Sequence, residues 1–237
     1  MSLWLFLDMK FPPTVQGCFL VRENRFRVRV EVDGHPVPAH LPNSGRLTEL
    51  LTPGRPCRLV PHPEPHRRTP LDLLLVEYAG VLVSVDARLP GPLFAEAVRE
   101  GWLSPFSNFT RLEREVRCGE SRLDFRLDGP NGPLWVETKS VTLVESGVAR
   151  FPDAPTLRGQ RHLRQLTALA ARGERAAVVF IVQRPDAEVF MPHVWADPAF
   201  AAALAEAARA GVEVHAFRCD VSLTQIHIAA PIPVSLP

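Results

Sequence analysis

Lysine is nearly absent: the chain carries Lys10 and Lys139 against 25 arginines. Positive charge is therefore almost always a guanidinium, which stays protonated at any working pH, and the single mid-chain lysine stands out. Net charge is lacking too. The formal balance is +1, with 10 basic and 9 acidic residues up to Asp86 and 17 of each beyond it. Bulk electrostatics thus carries no polyanion-binding signature, and a nucleic-acid partner has to be held by local patches. No run approaches the roughly 18 uncharged apolar residues of a membrane span, so no membrane partner is expected. The apolar start Met1-Ser-Leu-Trp-Leu-Phe-Leu-Asp8 lacks a basic n-region and a small-residue cleavage site, so no signal peptide is expected. Cys18, Cys57, Cys118 and Cys219 form no Cys-x-x-Cys pair. That argues against disulfides and structural zinc, and fits reduced, mostly buried thiols in a cytoplasmic protein.

What the chain does have is apolar content, 46% of 237 residues, enough for one large domain or two modest ones. The most informative stretch runs from Glu120 to Val141. Two segments of alternating polarity, Glu120–Leu127 and Leu134–Val141, flank the turn formers Asp128-Gly-Pro-Asn-Gly-Pro133, which predicts an antiparallel hairpin. Closed symmetrically with Leu127 opposite Leu134, it sets Asp124 opposite Glu137 and Arg122 opposite Lys139. Those four side chains share one face with Trp135, and Leu123, Phe125, Leu127, Leu134 and Val136 form the core face. Cross-strand partners have Cβ atoms roughly 5 Å apart. Two carboxylates at that distance repel, and a divalent cation or a shared proton offsets the repulsion. A charge ladder built for stability would oppose unlike signs. This register opposes like with like on both rungs, so a metal site is the better reading. Lys139 lies beside the pair and, unlike arginine, can lose its proton when desolvated or hold a water.

Asp, a hairpin turn, then Glu-x-Lys resembles the PD-(D/E)XK nuclease superfamily. Four longer stretches are similar to the sugar fermentation stimulation protein A (SfsA) family. They are Ala39-His-Leu-Pro-Asn-Ser-Gly-Arg-Leu47, Ser121-Arg-Leu-Asp-Phe125, Val136-Glu-Thr-Lys-Ser140 and Phe151-Pro-Asp-Ala-Pro-Thr-Leu-Arg-Gly-Gln-Arg-His-Leu163. The likeness runs from about residue 17 to the C-terminus, with one departure at Gly91, where the family usually shows Asn. The resemblance implies an α/β chain: an N-terminal OB-like β-barrel, expected over residues 1–86, then a restriction-endonuclease-like (PD-(D/E)XK) mixed-sheet domain over 87–237. It also implies DNA binding and a link to carbohydrate (maltose) metabolism.

On this reading Asp124 and Glu137 bind Mg²⁺ or Mn²⁺ through oxygen, aided by the Thr138 carbonyl, and Lys139 positions or deprotonates the attacking water. Arg122 would neutralise charge on the phosphate oxygens, while Trp135 packs rather than stacking a base. In nuclease-like folds the helix before the motif strands often lends an acid. Glu96, within a helix expected over Pro92–Leu103, is the matching candidate, with Glu113 and Glu115 of the strand Phe109–Arg117 as alternatives.

Two patches are candidates for nucleic-acid contact. Arg25, Arg27 and Arg29 share one face of an expected barrel strand whose other face holds Phe26, Val28 and Val30. An ordinary solvated face paired with neighbouring acids is the alternative there. Farther on, Thr156 caps an expected helix that ends near Arg172 at Gly173. Arg158, Arg161 or His162, and Gln165 follow one stripe of it, and Gly159 would let a DNA phosphate approach the helix N-terminus. A short helix is expected over Leu47–Leu51, a buried central strand over Ala176–Val182, and a helix from Asp197-Pro198 to Gly211. The expected function is DNA binding with metal-dependent nuclease activity. The alternative is a non-catalytic, non-specific DNA-binding regulator of carbohydrate-metabolism genes. A homodimer would suit double-strand cleavage, though no residue specifies one.

Overall fold

The computed structural model describes residues 9–64, 66–119 and 121–237, so Met1–Asp8, Pro65 and Glu120 lie outside the described residues. A short edge strand, β1 (Met9–Lys10), precedes a group of six: β2 (Val15–Asn24), β3 (Arg27–Val32), β4 (His35–His40), β5 (Pro56–Pro61), β6 (Leu71–Tyr78) and β7 (Val81–Ser84). β2 pairs with β3 and β5, β3 with β4, and β5 with β6. β4 closes the ring on β6 through Ala39–Leu71 and His40–Asp72. The result is the expected OB-like barrel, closed over five strands, with β7 hydrogen-bonded to the outside of β6. Alternation along these strands turns Phe19, Val28, Val30, Leu59 and Leu73 inward to one core.

Two local expectations fail here. The β2–β3 turn falls on Arg25 and Phe26, because the Asn24 side-chain oxygen accepts the Phe26 N–H at 3.0 Å and starts an Asx turn. Arg25 is therefore off the strand, and Phe26, expected in the core, is 47% exposed. Leu47–Leu51 forms one turn rather than a helix: Leu47 has φ 52°, and only Leu50 and Leu51 donate back to its carbonyl.

Beyond β7 come α1 (Pro90–Arg99), a 3₁₀ turn at Ser104–Phe106, then β8 (Arg111–Cys118), β9 (Ser121–Asp128) and β10 (Leu134–Val141). There follow β11 (Leu143–Glu145), β12 (Val148–Phe151), α2 (Leu157–Ala170), β13 (Arg175–Val182), β14 (Val189–Pro192), α3 (Pro198–Arg209), β15 (Glu213–Val221) and β16 (Gln225–Ile232). A seven-stranded mixed sheet runs β1-β16-β15-β13-β10-β9-β8, with β10, β13 and β15 parallel at its centre. β11, β12 and β14 make a small second sheet. These three strands were not expected, being too short for alternation to register.

The apolar run of β13 is covered on both faces, as a central parallel strand requires. Ala177, Val179 and Ile181 pack with Leu93 and Phe94 of α1, while Val178, Phe180 and Val182 pack with Leu163 of α2 and Phe200 of α3. Helix ends obey local chemistry. Thr156 Oγ1 accepts the Gly159 N–H at 3.0 Å, and Asp197 Oδ1 accepts the Phe200 N–H at 2.9 Å. α1 stops earlier than expected, at Arg99, just before Gly101 with φ 71°. Among the described residues no helix is long and apolar enough to cross a membrane.

Candidate functional site

The hairpin of β9 and β10 supplies the site. Its ladder pairs Leu127 with Leu134, Arg126 with Trp135 and Phe125 with Val136. The next step would pair Asp124 with Glu137, but there the main-chain ladder ends. Asp124 Oδ2 instead accepts the Thr138 N–H at 2.8 Å and the Thr138 hydroxyl at 2.6 Å. A side-chain carboxylate stands where a ladder carbonyl would, and it is held by two donors.

Glu137 is 2% exposed and turned toward α2, because its neighbour Val136 packs on the α1 side. Lys139 Nζ and His162 Nδ1 both bond its Oε1, and the two nitrogens are 3.4 Å apart. An ionised carboxylate only accepts, so His162 carries its proton on Nδ1 in this contact. The second oxygen, Oε2, is buried without a hydrogen-bond partner. Leaving such an atom unpaired costs about 1–3 kcal/mol, more for a charged group, so this oxygen is available to a ligand.

The two acids are driven apart. Burial, and then the Glu137 charge, push the Asp124 carboxyl above the usual aspartate range. Burial acts the same way on Glu137, but Lys139 and His162 outweigh it and hold that carboxyl below the usual range. Both carboxylates open on a cavity of about 540 Å³, lined also by Lys139, Arg114, Arg158 and, from the barrel, Arg25. Among the described residues no cluster of three or more His, Cys, Asp and Glu side chains could hold a metal. An all-side-chain zinc site is thereby disfavoured. Two carboxylates with a carbonyl and waters remain adequate for a hard cation.

The other residues singled out above scatter. Arg122 is exposed, pairs with Glu115 at 3.6 Å and does not line the cavity, whereas Arg114 and Glu115 do. Glu113 pairs with Arg111, and Glu96 is not among the cavity-lining side chains. Arg27 and Arg29 both form ion pairs with Glu23, at 2.6 and 2.5 Å, so that face of the barrel is the paired, solvated one. His162 is buried against Glu137 rather than presented to solvent, and Gln165 donates to the Cys118 carbonyl. Trp135 packs: its Nε1 donates to Glu174 at 2.8 Å, under the Arg126 guanidinium. Gly159 is not an opening for phosphate, since a Cβ there would meet Thr156 Cγ2 at 2.7 Å and Phe200 Cε2 at 3.1 Å.

Sequence reasoning missed the barrel's share of the cavity. Asn43, Ser44 and Gly45 line it, as does Asp153, whose Oδ2 accepts the Leu47 N–H at 3.1 Å. Both segments lie in turn-rich stretches, Ala39–Leu47 and Phe151–Leu163, whose own pattern reads as connectors.

Comparison with known proteins follows this geometry closely. The family model described as "Sugar fermentation stimulation protein RE domain" matches residues 88–225, and that described as "SfsA N-terminal OB domain" matches 20–85. This chain belongs to the sugar fermentation stimulation protein family. SfsA homologues of Moorella thermoacetica and Desulforamulus reducens are 47% and 44% identical to it, each covering at least 94% of both chains. The solved structure of Pyrococcus furiosus SfsA in complex with Ca²⁺ is 35% identical, with a TM-score of 0.90 over 98% of this chain and 100% of that one. The OB-barrel and mixed-sheet architecture described above is thus the SfsA architecture.

Proposed function

We propose that the chain is a divalent-cation-dependent phosphodiesterase acting on nucleic acid, with DNA as the expected substrate, on a PD-(D/E)XK arrangement. One observation carries this reading: Asp124 and Glu137 share a cavity with Lys139, and Glu137 Oε2 is buried there without a partner. A pure binding protein has no use for two such acids facing a polyanion. That the Pyrococcus furiosus relative forms a complex with Ca²⁺ supports a divalent ion as cofactor.

Asp124 and Glu137, with the Thr138 carbonyl, would hold Mg²⁺ or Mn²⁺. When bound, such an ion lowers the pKa of a coordinated water and offsets charge on the phosphate. The chain's own residues do the rest. Thr138 fixes the Asp124 carboxylate through its N–H and hydroxyl, and His162 and Lys139 fix Glu137. Lys139 Nζ, paired with Glu137, donates to the attacking water and orients it. Arg114, in the place first assigned to Arg122, faces the phosphate oxygens from the cavity wall.

The test is incubation of purified protein with single- and double-stranded DNA and RNA in Mn²⁺, Mg²⁺ or EDTA, beside Asp124→Ala and Lys139→Ala. Cutting in metal, abolished by EDTA and reduced at least a hundredfold in both variants, is the expected result. Tight binding without cutting in any metal would instead establish a non-catalytic DNA-binding regulator.

A further inference from the structure

Many arginines of this protein are paired with a carboxylate. Arg67 and Arg88 meet Asp72, Arg111 meets Glu113, Arg126 meets Asp128, Arg175 meets Glu213 and Arg184 meets Asp186. Around the cavity both kinds occur: Arg88 and Arg150 line it and pair with Asp86 and Glu145. Arg25, Arg114 and Arg158 line it, and among the described residues none of the three guanidinium groups bonds a carboxylate. They come from the barrel, from β8 and from the first turn of α2, so the positive rim spans the barrel and the sheet. Unneutralised guanidinium groups from three segments around one opening fit a polyanion crossing it.

The barrel side of that rim ends in an aromatic ring. Phe26, at the tip of the β2–β3 turn, is 47% exposed, and the Arg25 guanidinium sits 5.5 Å from its centroid. The turn is not loose. Arg22 donates to the carbonyls of Gly45, Arg46 and Arg25 at 2.6, 2.7 and 2.7 Å, which fastens the turn to the cavity-lining loop. The Phe26 carbonyl also accepts from Leu41 N–H at 2.9 Å and from His40 Nδ1 at 3.0 Å. An exposed ring held rigidly beside an unpaired cation is a surface for base stacking.

We propose that the Arg25-Phe26 turn is a stacking platform for an unpaired base, and that the cavity accordingly takes single-stranded rather than duplex nucleic acid. The assignment rests on the nucleic-acid reading above and names its substrate form. Duplex bases are stacked on one another and offer no free face to a surface ring, whereas a single strand offers one at every nucleotide. The buried Glu137, at 2% exposure, also suits a flexible strand that can bend inward better than a stiff double helix.

The experiment is fluorescence anisotropy in EDTA with three labelled 12-nucleotide probes: a single-stranded DNA, an abasic strand of equal length and a duplex. Phe26→Ala is expected to weaken single-strand binding roughly tenfold, with the abasic strand unaffected and Phe26→Trp restoring the affinity. Arg25→Ala is expected to weaken both single strands and flatten their salt dependence. Duplex binding as tight as single-strand binding, or a Phe26→Ala effect equal on both single strands, overturns the assignment. Cutting of DNA without any Phe26 effect sinks the strand assignment alone. The Phe26 effect without cutting in any metal keeps the strand assignment and sinks the hydrolase.

Discussion

At the scale of single residues, Asp124, Glu137 and Lys139 could be read as a group because a hairpin's alternation and symmetric closure fix which side chains share a face. His162 could not. Its helical stripe left Arg161 and His162 as alternatives, and an imidazole ring is compact enough to fall on the buried side, which it does beside Leu163 and Leu166. Only the contact between α2 and β10 shows that it holds the second acid. Partners that orient a ligating carboxylate typically change metal affinity by about 10–100-fold. His162→Ala should weaken Mn²⁺ binding by that order in titration calorimetry, and His162→Gln, which keeps an N–H donor, should recover part of it. Equal affinity in wild type and His162→Ala would mean that Lys139 alone fixes Glu137.

At the scale of elements, helix ends were legible because their signals are local. Thr156, Asp197-Pro198, Gly173 and Gly211 stand where caps and stops belong. What a local pattern cannot show is one cap serving two helices. Asp197 caps α3 through the Phe200 N–H, and its Oδ2 also accepts the Thr156 N–H at 2.8 Å, while both its oxygens accept from Gln160 Nε2 at 3.0 and 3.1 Å. The anion once expected at the start of α2 is therefore this carboxylate, not a DNA phosphate. Burial alone would raise its pKa, but the N–H donors hold it below the ordinary 3.8. A depressed carboxylate contributes stability that is present above its unfolded value and is lost as pH falls through its folded one. Asp197→Asn should thus cost about 1.5–3 kcal/mol in urea unfolding at neutral pH, as hydrogen bonds to a charged group do. The gap to wild type should close below about pH 4. A gap unchanged down to pH 2 would mean that the carboxylate's charge is not what joins the helices.

At the scale of the whole molecule, single strands were foreshadowed by periodicity and the barrel and sheet by the family resemblance, but their junction was not. It is built from single contacts between segments far apart in sequence. Ser84 N–H donates to the Gln183 carbonyl at 3.0 Å. The Tyr78 ring lies against the guanidinium groups of Arg55 and Arg184, at 5.0 and 5.3 Å. Leu47 N–H reaches Asp153 across 106 residues. No window of sequence contains both ends of such a contact. Gly45 shows how tight the fit is: a Cβ there would lie 2.5 Å from Asp153 Oδ2 and 3.0 Å from Asn43 Oδ1. Gly45→Ala must push Asp153 aside and break its bond to Leu47, leaving that N–H unpaired at a cost of about 1–3 kcal/mol. Asp153→Ala removes the same bond without the clash. The two losses therefore overlap, and in thermal unfolding the double variant should be destabilised by clearly less than the sum of the singles. Because both residues line the cavity, the alanine at position 45 should also weaken binding of the single-stranded probe, and Asp153→Ala should relieve the part caused by crowding. Strict additivity in both measurements would show that Gly45 and Asp153 act independently, and that the barrel is joined to the sheet elsewhere.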